Sequence, residues 1–398
     1  QAINNSASGE VVVEGGVITN SSMFTPVVSA GTPVNFANTN VAKSGAIAFD
    51  STNNKVVIVY TPSANSNYGT AIVGTVSGDT ISFGSPVVFN SADTDHICIA
   101  FDANAGKFVI GYKDNGASNY GKAIVGTVSG TSISFGSEAA LEDAVVSGLS
   151  ATYDANAQKV VIAYYNNSAS KAAVGTVSGT SVSFGTPVTF SSSTSTYQSI
   201  TYDSSAQKVV IAFTDSTNSN YPSGIVGTVS GTSISFGSAT AVGSEGGAPV
   251  SIAYDSSNSK VVIAYKELAS SPYGLRAVAG TVSGTSISFG STASAEDTDG
   301  VSNPSIAYDA SAQQMVIAYR SEGSGTPPKV IPAGVSGTSV TFGSAVTITS
   351  DAGSFYTNGH NLTYDSNAQR VVGHYIDSYA GNLGDAFVVD TTSTFTIG

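Results

Sequence analysis

One sequence phrase returns seven times along this chain of 398 residues, and that repetition constrains the fold more than any other feature. In each copy a short apolar run ends in an aromatic residue and an aspartate, and a second apolar run follows a polar turn. The marker aspartates, which number the repeats from one to seven, are Asp50, Asp102, Asp154, Asp203, Asp255, Asp309 and Asp365. A period of about fifty residues, built of strand-like runs and Gly/Ser turns, is typical of a β-propeller with one blade per repeat.

The fifth repeat shows the internal plan of a copy. It contains four strand-like runs, at residues 251 to 254, 261 to 265, 277 to 282 and 285 to 289. The apolar positions are mostly β-branched, and no run has helical periodicity. The sequence therefore predicts an all-β fold, a seven-bladed β-propeller of four-stranded blades, over residues 29 to 398.

The two ends of the chain divide one repeat between them. The seventh repeat stops at residues 394 to 398 and lacks the segment that follows in other repeats, whereas a matching segment stands at residues 32 to 36. We expect the N-terminal segment to complete the last blade and to close the ring, covering an exposed sheet edge. Residues 1 to 28 are then an N-terminal arm with two short strands, which either pair with another subunit or pack on the ring.

Composition narrows the setting. Only 10% of the residues are charged, and the formal net charge is −13. A surface made largely of Ser, Thr, Gly and Asn is more typical of secreted, cell-surface or virion proteins than of cytosolic enzymes. The negative charge argues against a nucleic-acid partner, because phosphate contacts need Lys and Arg. No apolar run approaches membrane-spanning length.

The marker aspartates are expected to be structural. A carboxylate that opens a tight turn can accept backbone N–H bonds, and the Lys or Arg found five residues later in six copies can flank it across the hairpin. Because one active site needs one constellation of residues, sevenfold recurrence argues against catalysis.

The repeats differ mainly in two connections: the one between the second and third strands, and the one that leads to the next repeat. Alternating strand direction places both on one rim of the ring, which we call the variable rim. Variation gathered on one rim of a repeat scaffold is typical of a ligand-binding face. The candidate ligand-binding residues are Asp93, Asp95, His96, Tyr197, Glu296, Asp297, Asp299, Phe355, Tyr356 and His360.

Acidic residues on this rim raise the question of a metal. The groups around Asp95 and Asp297 could offer oxygen ligands to Ca²⁺, but neither has the length or the glycine of a calcium-binding loop. The expectation is therefore that the protein has no cofactor, with Ca²⁺ as the alternative.

Two stretches carry a family resemblance. AIVGTVSGTSISFGS (residues 123 to 137) and YDSSAQKVVIAF (residues 202 to 213) resemble propeller repeats in predicted structural proteins of marine tailed phages and in bacterial surface proteins. The resemblance covers about residues 29 to 398 and lies at positions that build the blades. It implies a virion or extracellular cell-surface protein, such as a tail fibre or receptor-binding component, that meets other virion or surface subunits.

Three functions follow from these features. The first is a non-enzymatic structural or adhesive propeller that binds a glycan or a surface protein through its variable rim. The second is a polysaccharide-active glycosidase or lyase, with His96, His360, Tyr356 and the acidic loops as material. The third is an assembly scaffold whose ring docks on another subunit.

Overall fold

A computed structural model describes residues 10 to 13, 16 to 19, 26 to 192, 194 to 195, 197 to 269, 273 to 295, 300 to 322, 326 to 355, 361 to 377 and 380 to 391. The chain begins there with a two-stranded antiparallel hairpin of β1 (Glu10–Val13) and β2 (Gly16–Thr19). The two short strands predicted for the arm are thus confirmed. Within the described residues, no helix is long and apolar enough to cross a membrane.

The first two repeats share one nine-stranded sheet, and the segment β3 (Ser29–Ala30) and β4 (Val34–Ala37) precedes it. The strands of the shared sheet are β5 (Val41–Asp50), β6 (Lys55–Pro62), β7 (Tyr68–Ser77), β8 (Thr80–Phe83), β9 (Val87–Asp102), β10 (Lys107–Asp114), β11 (Tyr120–Ser129), β12 (Ser132–Phe135) and β13 (Ala139–Val145). A 3-10 turn, Ser63–Asn65, lies between β6 and β7. The long strand β9 joins the two repeats, because its first half pairs with β7 and its second half with β10.

Each of the next four repeats forms a five-stranded sheet. The third repeat contains β14 (Ser147–Asp154), β15 (Lys159–Tyr165), β16 (Ser170–Ser178), β17 (Ser181–Phe184) and β18 (Val188–Ser191). The fourth contains β19 (Gln198–Asp203), β20 (Lys208–Asp215), β21 (Tyr221–Ser230), β22 (Ser233–Phe236) and β23 (Thr240–Ala241). The fifth contains β24 (Gly247–Asp255), β25 (Lys260–Glu267), β26 (Leu275–Ser283), β27 (Ser286–Phe289) and β28 (Ala293–Ser294). The sixth contains β29 (Val301–Asp309), β30 (Gln314–Ser321), β31 (Pro328–Ser336), β32 (Ser339–Phe342) and β33 (Val346–Thr347).

The expectation of four strands in each of seven separate sheets is not met. Two short strands share the outer edge of each five-stranded sheet, and in the third repeat β17 and β18 both pair with β16. A glycine separates them, and its amide still bonds to the third strand, as Gly185 N does to Val174 O at 3.0 Å. Five sheets hold one repeat each, while the continuous strand β9 merges the first two repeats.

The seventh repeat forms a six-stranded sheet with the N-terminal segment. Its own strands are β34 (Gly353–Ser354), β35 (Leu362–Asp365), β36 (Arg370–Asp377) and β37 (Leu383–Asp390). Both β3 and β4 pair with β37, so residues 34 to 36 take the place that the sequence predicted. The expected fourth strand at residues 394 to 398 lies outside the described residues. Instead β3 holds the corresponding position, and Gly31 N bonds to Val388 O at 2.8 Å as Gly185 does in the third repeat.

The sheets close into a ring. The first strands of the repeats contact one another in sequence, from β5 through β9, β14, β19, β24, β29 and β35, and β35 contacts β5. Apolar clusters fill the spaces between neighbouring sheets; one of them unites Val161 of the third repeat with Ile211 of the fourth. Both faces of each sheet are therefore buried, as the paired small and large faces of the first strands require. The predicted all-β fold is confirmed.

Repeated polar contacts hold this frame. Each marker aspartate accepts backbone N–H bonds in its turn, as Asp154 does from Asn156 at 3.0 Å and Ala157 at 2.9 Å. Serines of the first strands bond to the next repeat around the ring, as Ser199 Oγ does by accepting Ile252 N–H at 3.2 Å. The recurrent residues are thus used for architecture, and the variation between copies remains for other roles.

Candidate functional site

The two variable connections meet on one rim. The loops after the second strands bond to the segments that lead into the next repeat, with Thr94 N to Asn67 O at 3.0 Å and Gly247 N to Asn220 O at 2.9 Å. The same contact joins Val301 N to Tyr273 O at 2.7 Å in the fifth repeat. These bonds bring the two classes of loop together, as alternating strand direction predicted.

Two of the predicted residues, Asp95 and His96, lie together in the part of β9 that pairs with β10. Lys113 Nζ lies 3.8 Å from Asp95 Oδ2, and His96 Nε2 lies 4.0 Å from the same oxygen. His96 Nδ1 accepts a hydrogen bond from Gly148 N–H of the next repeat at 3.3 Å. Burial lowers the pKa of His96, an effect that Asp95 partly offsets. His96 is therefore a neutral acceptor that links two repeats.

A β-bulge explains the orientation of His96. Opposite Tyr112, β9 supplies both His96 and Ile97, because Gly111 pairs with Cys98 and Lys113 pairs with Asp95. His96 takes a left-handed backbone conformation with φ of 46°. Bulges of this kind turn a side chain away from the regular alternation of a strand and are common beside functional sites.

The other predicted residues are dispersed. Asp93 accepts a bond from Asn115 Nδ2 at 3.2 Å, and Tyr197 is half-buried at the start of the fourth repeat. The ring of Phe355 is only 1% exposed and packs on Tyr375 and Phe387 inside a core cluster, rather than lying open on the rim. Five predicted positions lie in the stretches 296 to 299 and 356 to 360, outside the described residues: Glu296, Asp297, Asp299, Tyr356 and His360. Among the residues that the structure describes, no group of three or more His, Cys, Asp or Glu side chains could hold a metal ion.

A cavity of about 380 Å³ opens on the variable rim between the fourth and fifth repeats. We call it the rim groove of the fifth repeat. The strands β25 and β26 supply Tyr265 and Arg276, which are cross-strand partners. Thr292 follows β27, and the connection from the fourth repeat supplies Gly243, Ser244 and Glu245.

Arg276 is held in place by two partners. Its guanidinium forms an ion pair with the buried Glu267 and donates a hydrogen bond to Ser294. Tyr265 lies beside it, 3% exposed, and its hydroxyl is hydrogen-bonded to Thr292. Burial raises the pKa of Tyr265, while Thr292 and Arg276 lower it in part, so this hydroxyl stays protonated at neutral pH. The groove thus joins a fixed cation, an aromatic ring and several hydroxyls, with the exposed carboxylate of Glu245 at its edge.

The second and third repeats have the same groove, but a glutamate occupies it. In the third repeat Tyr164 is the cross-strand partner of Lys171, as Tyr265 is of Arg276. Glu142 Oε2 accepts a hydrogen bond from the Tyr164 hydroxyl at 2.7 Å, and the same oxygen lies 3.4 Å from Lys171 Nζ. In the second repeat Tyr112 donates to Glu138 Oε2 at 2.8 Å, and Lys122 Nζ lies 3.1 Å from Glu138 Oε1.

The groove of the fifth repeat is open because both glutamate positions carry smaller residues. Glu142 follows the buried Leu141, and in the fifth repeat's groove Gly243 follows the buried Val242 in the same way. Glu138 stands two residues after Gly136, the glycine that follows the fourth strand of the second repeat. In the fifth repeat the equivalent glycine is Gly290, and Thr292 stands two residues after it. A Cβ atom at Gly243 would meet nothing within 4 Å. The missing side chains therefore account for the cavity.

The sequence does record which copies lack a glutamate at the two groove positions. The alignment of the seven copies places Glu142 against Gly243 and Glu138 against Thr292. That signal has meaning only once Tyr164 and Lys171 are known to face Glu142, since the contact joins three separate strands and connections. The candidate residues predicted from the sequence are mostly acids and aromatics of the loops, whereas Tyr265 and Arg276 lie in the strands next to those loops.

Comparison with known proteins supports the fold. No protein-family model and no curated protein matches this sequence. A solved structure of a protein of unknown function from Dyadobacter fermentans matches with a TM-score of 0.55 and 10% identity, covering 92% of this chain and 99% of that one. The periplasmic gluconolactonase of Pseudomonas aeruginosa has a TM-score of 0.55 and 11% identity, covering 88% and 97%.

The β-propeller domain of Cps50 (Swd1) from Myceliophteria thermophila also matches, with a TM-score of 0.53 and 7% identity, covering 92% of this chain and 100% of that domain. These likenesses, together with the closed ring of sheets, define the chain as a β-propeller protein. At such low identity they establish the fold alone.

Proposed function

We propose that this β-propeller is a binding protein that holds a neutral saccharide in the rim groove of the fifth repeat, without cleaving it. The observation that carries the proposal is the open cavity of about 380 Å³, a size in the range of ligand pockets, with Tyr265, Arg276 and Thr292 converging on it. A saccharide offers many hydroxyls and an apolar ring face. Arginine, carboxylate and hydroxyl groups pair with the hydroxyls, and a tyrosine ring packs against the face.

Charge favours a neutral ligand over an acidic one. Arg276 is already paired with Glu267, and Glu245 adds a second carboxylate at the edge of the groove. An anionic ligand would meet this excess of negative charge as well as the net charge of −13 of the whole chain.

A glycan screen on the full chain tests the proposal. We expect retention of neutral saccharides over sialylated and uronate-containing ones, and recovery of every retained glycan at its original length. Arg276→Ala should reduce retention at least tenfold, because the guanidinium is the fixed donor of the groove. Glu142→Gln in the third repeat serves as a control outside the groove. Binding that is insensitive to Arg276→Ala would refute this site, and shortened products would establish a polysaccharide-active enzyme instead.

The setting of this activity is a virion or an extracellular cell surface in our proposal, where the ring contacts other subunits. Its support is the low content of charged residues, at 10% of the chain, and the resemblance of the blade motifs to phage and bacterial surface proteins. Mass spectrometry of purified virions and of surface-shaved cells of the source organism would locate the protein. Recovery only from the cytosolic fraction would contradict the proposal.

We further propose that the ring has seven blades, with β9 shared between the first two. The support is the sequence of contacts among the first strands, which runs through all seven repeats and returns to β5. Class averages of the ring viewed along its axis by cryo-electron microscopy would count the blades. Any number other than seven would refute this part of the proposal.

A further inference from the structure

A second cavity, of about 640 Å³, opens beside the first repeat. Its position in the repeat matches the rim groove of the fifth repeat residue by residue. Tyr60 and its cross-strand partner Thr70 correspond to Tyr265 and Arg276. Pro86 stands where the fifth repeat has Thr292, and Ala37, Asn38 and Thr39 stand where it has Gly243, Ser244 and Glu245. The two cavities are therefore the same feature of the repeat, open in both the first and the fifth copy.

The chemistry of this second groove differs from that of the first. Among the described residues that line the cavity, none carries a charge. Much of its wall is apolar, with the ring of Phe36 centred 5.1 Å from Tyr60 and 5.9 Å from Phe83. A charged ligand would lose its hydration here without gaining a partner, so the groove selects an uncharged ligand with an apolar portion.

The Tyr60 hydroxyl is a buried polar group among the residues that line this cavity. Tyr60 is 3% exposed, and burial alone acts on the pKa of its hydroxyl, with no hydrogen bond from a described residue. Burial raises the pKa of Tyr60 to about 12, so the group is a donor at neutral pH. In the second and third repeats the equivalent tyrosines, Tyr112 and Tyr164, each donate to a carboxylate oxygen of the protein itself. In both repeats the tyrosine of the groove is thus paired with an oxygen acceptor from a connection on the variable rim.

We infer that the groove of the first repeat is a second saccharide site and that it takes an acetamido sugar. The acetamido carbonyl accepts the Tyr60 hydroxyl, and the methyl group packs on the wall that includes Phe36. An acetamido group combines an uncharged oxygen acceptor with a methyl group, which is the pair of features that this groove complements. The inference rests on the proposed function in that both grooves bind saccharides, but its residues are separate from those of the fifth repeat.

The test compares two matched probes on the full chain by ligand-observed NMR titration. Methyl N-acetyl-β-glucosaminide should bind, and methyl β-glucoside, which lacks the acetamido group, should bind at least tenfold more weakly at this site. Tyr60→Phe keeps the ring and removes only the hydroxyl, and it should weaken binding of the acetamido probe about threefold to tenfold. Pro86→Glu places at an exposed position the glutamate that the second repeat carries there, and it should abolish binding.

The controls separate the two sites. Tyr265→Phe should leave the acetamido probe unaffected, and unfolding midpoints close to that of the parent chain would show that each variant folds. An acetamido probe that binds equally to the parent chain, Tyr60→Phe and Pro86→Glu would overturn the inference, as would equal binding of the two probes. If the Arg276-dependent saccharide binds normally while the acetamido probe does not bind, this inference alone fails. If the acetamido probe depends on Tyr60 while Arg276→Ala changes nothing, the site in the fifth repeat fails and this one stands.

Discussion

The third and fifth repeats share one frame and use the same groove in opposite ways. In the third repeat Glu142 fills the groove and satisfies the Tyr164 hydroxyl and Lys171. In the fifth repeat Gly243 leaves the equivalent space empty, and Tyr265 and Arg276 line a cavity. The ring keeps its shape in both cases because the frame depends on recurrent aspartates, serines and apolar strands. Whether a glutamate stands at either of two connection positions therefore decides whether a groove stabilises the protein or remains open for a ligand.

Removing the glutamate that fills the groove of the third repeat should destabilise the protein. Glu142→Ala deprives the buried Tyr164 hydroxyl and the Lys171 ammonium of their acceptor, and it should lower the free energy of unfolding by about 1–3 kcal/mol. Glu245→Ala, at the exposed edge of the open groove, should change it by less than about 0.5 kcal/mol. Urea denaturation measures both, and equal losses would mean that the two grooves do not differ in this way.

Filling the open groove should convert the fifth repeat into a copy of the third. Gly243→Glu adds a carboxylate that can reach Tyr265 and Arg276, and it should weaken saccharide binding at least about tenfold, or 1.4 kcal/mol. Gly243→Ala adds one methyl group at a position with no atom within 4 Å and should leave binding intact. Isothermal titration with a saccharide retained in the glycan screen is the measurement. Full binding by Gly243→Glu would show that the ligand lies elsewhere on the rim.

The hydroxyl groups of Tyr164 and Tyr265 should contribute differently to the free energy of unfolding. Tyr164 donates to a carboxylate, and Tyr164→Phe should lower the free energy of unfolding by about 1.5–3 kcal/mol. Tyr265 bonds to the neutral Thr292 hydroxyl, and Tyr265→Phe should cost about 0.5–1.5 kcal/mol. The same denaturation experiment ranks them, and a larger loss for Tyr265→Phe would reverse the assignment of closed and open grooves.

The smallest expected effect concerns pH and the bulge that carries His96. Because the folded-state pKa of His96 lies below its ordinary value, the unfolded chain binds a proton that the folded chain excludes, and stability falls as pH drops below about 6.5. Asp95 and Lys113 face the imidazole and are unchanged by the test. His96→Asn should reduce the loss between pH 7 and pH 5, since Asn303 holds the same bulge position in the sixth repeat with φ of 51°. Identical pH dependence of the two proteins would remove His96 from this role.

Much of the frame could be predicted from the sequence. Marker aspartates, strand runs and turn glycines recur, so their physical role can be inferred from the recurrence alone. The start of the closing segment is harder to predict from the sequence. Residues 28 to 31 (VSAG) correspond to residues 182 to 185 (VSFG) of the third repeat, but Ala30 replaces the phenylalanine that marks this strand in the other copies. The structure shows that β3 nevertheless takes that strand's position, and that Gln314 Nε2 bonds to Val27 O at 3.0 Å at the same junction.

The binding residues are harder to predict from the sequence for a different reason. No repeat position demands an aromatic residue at Phe355, yet its ring packs against Tyr375 and Phe387 in the core. A departure from the repeat pattern can serve packing as readily as binding, and a sequence does not distinguish a side chain that turns inward from one that turns outward.

By itself, the sequence determined that this chain is built of β repeats, that the N-terminal segment pairs with the last strand, and that two classes of variable loop share a rim. These properties depend on local patterns and on the alternation of strand direction, which a linear sequence records. Only the tertiary structure decided which grooves are open. Each groove joins a tyrosine to residues that precede it in the sequence by about twenty positions or more and that belong to the neighbouring repeat, as for Tyr60, Tyr164 and Tyr265. Whether such a tyrosine faces a glutamate or a cavity is a matter of distances between separate strands, and those distances exist only once the ring has closed.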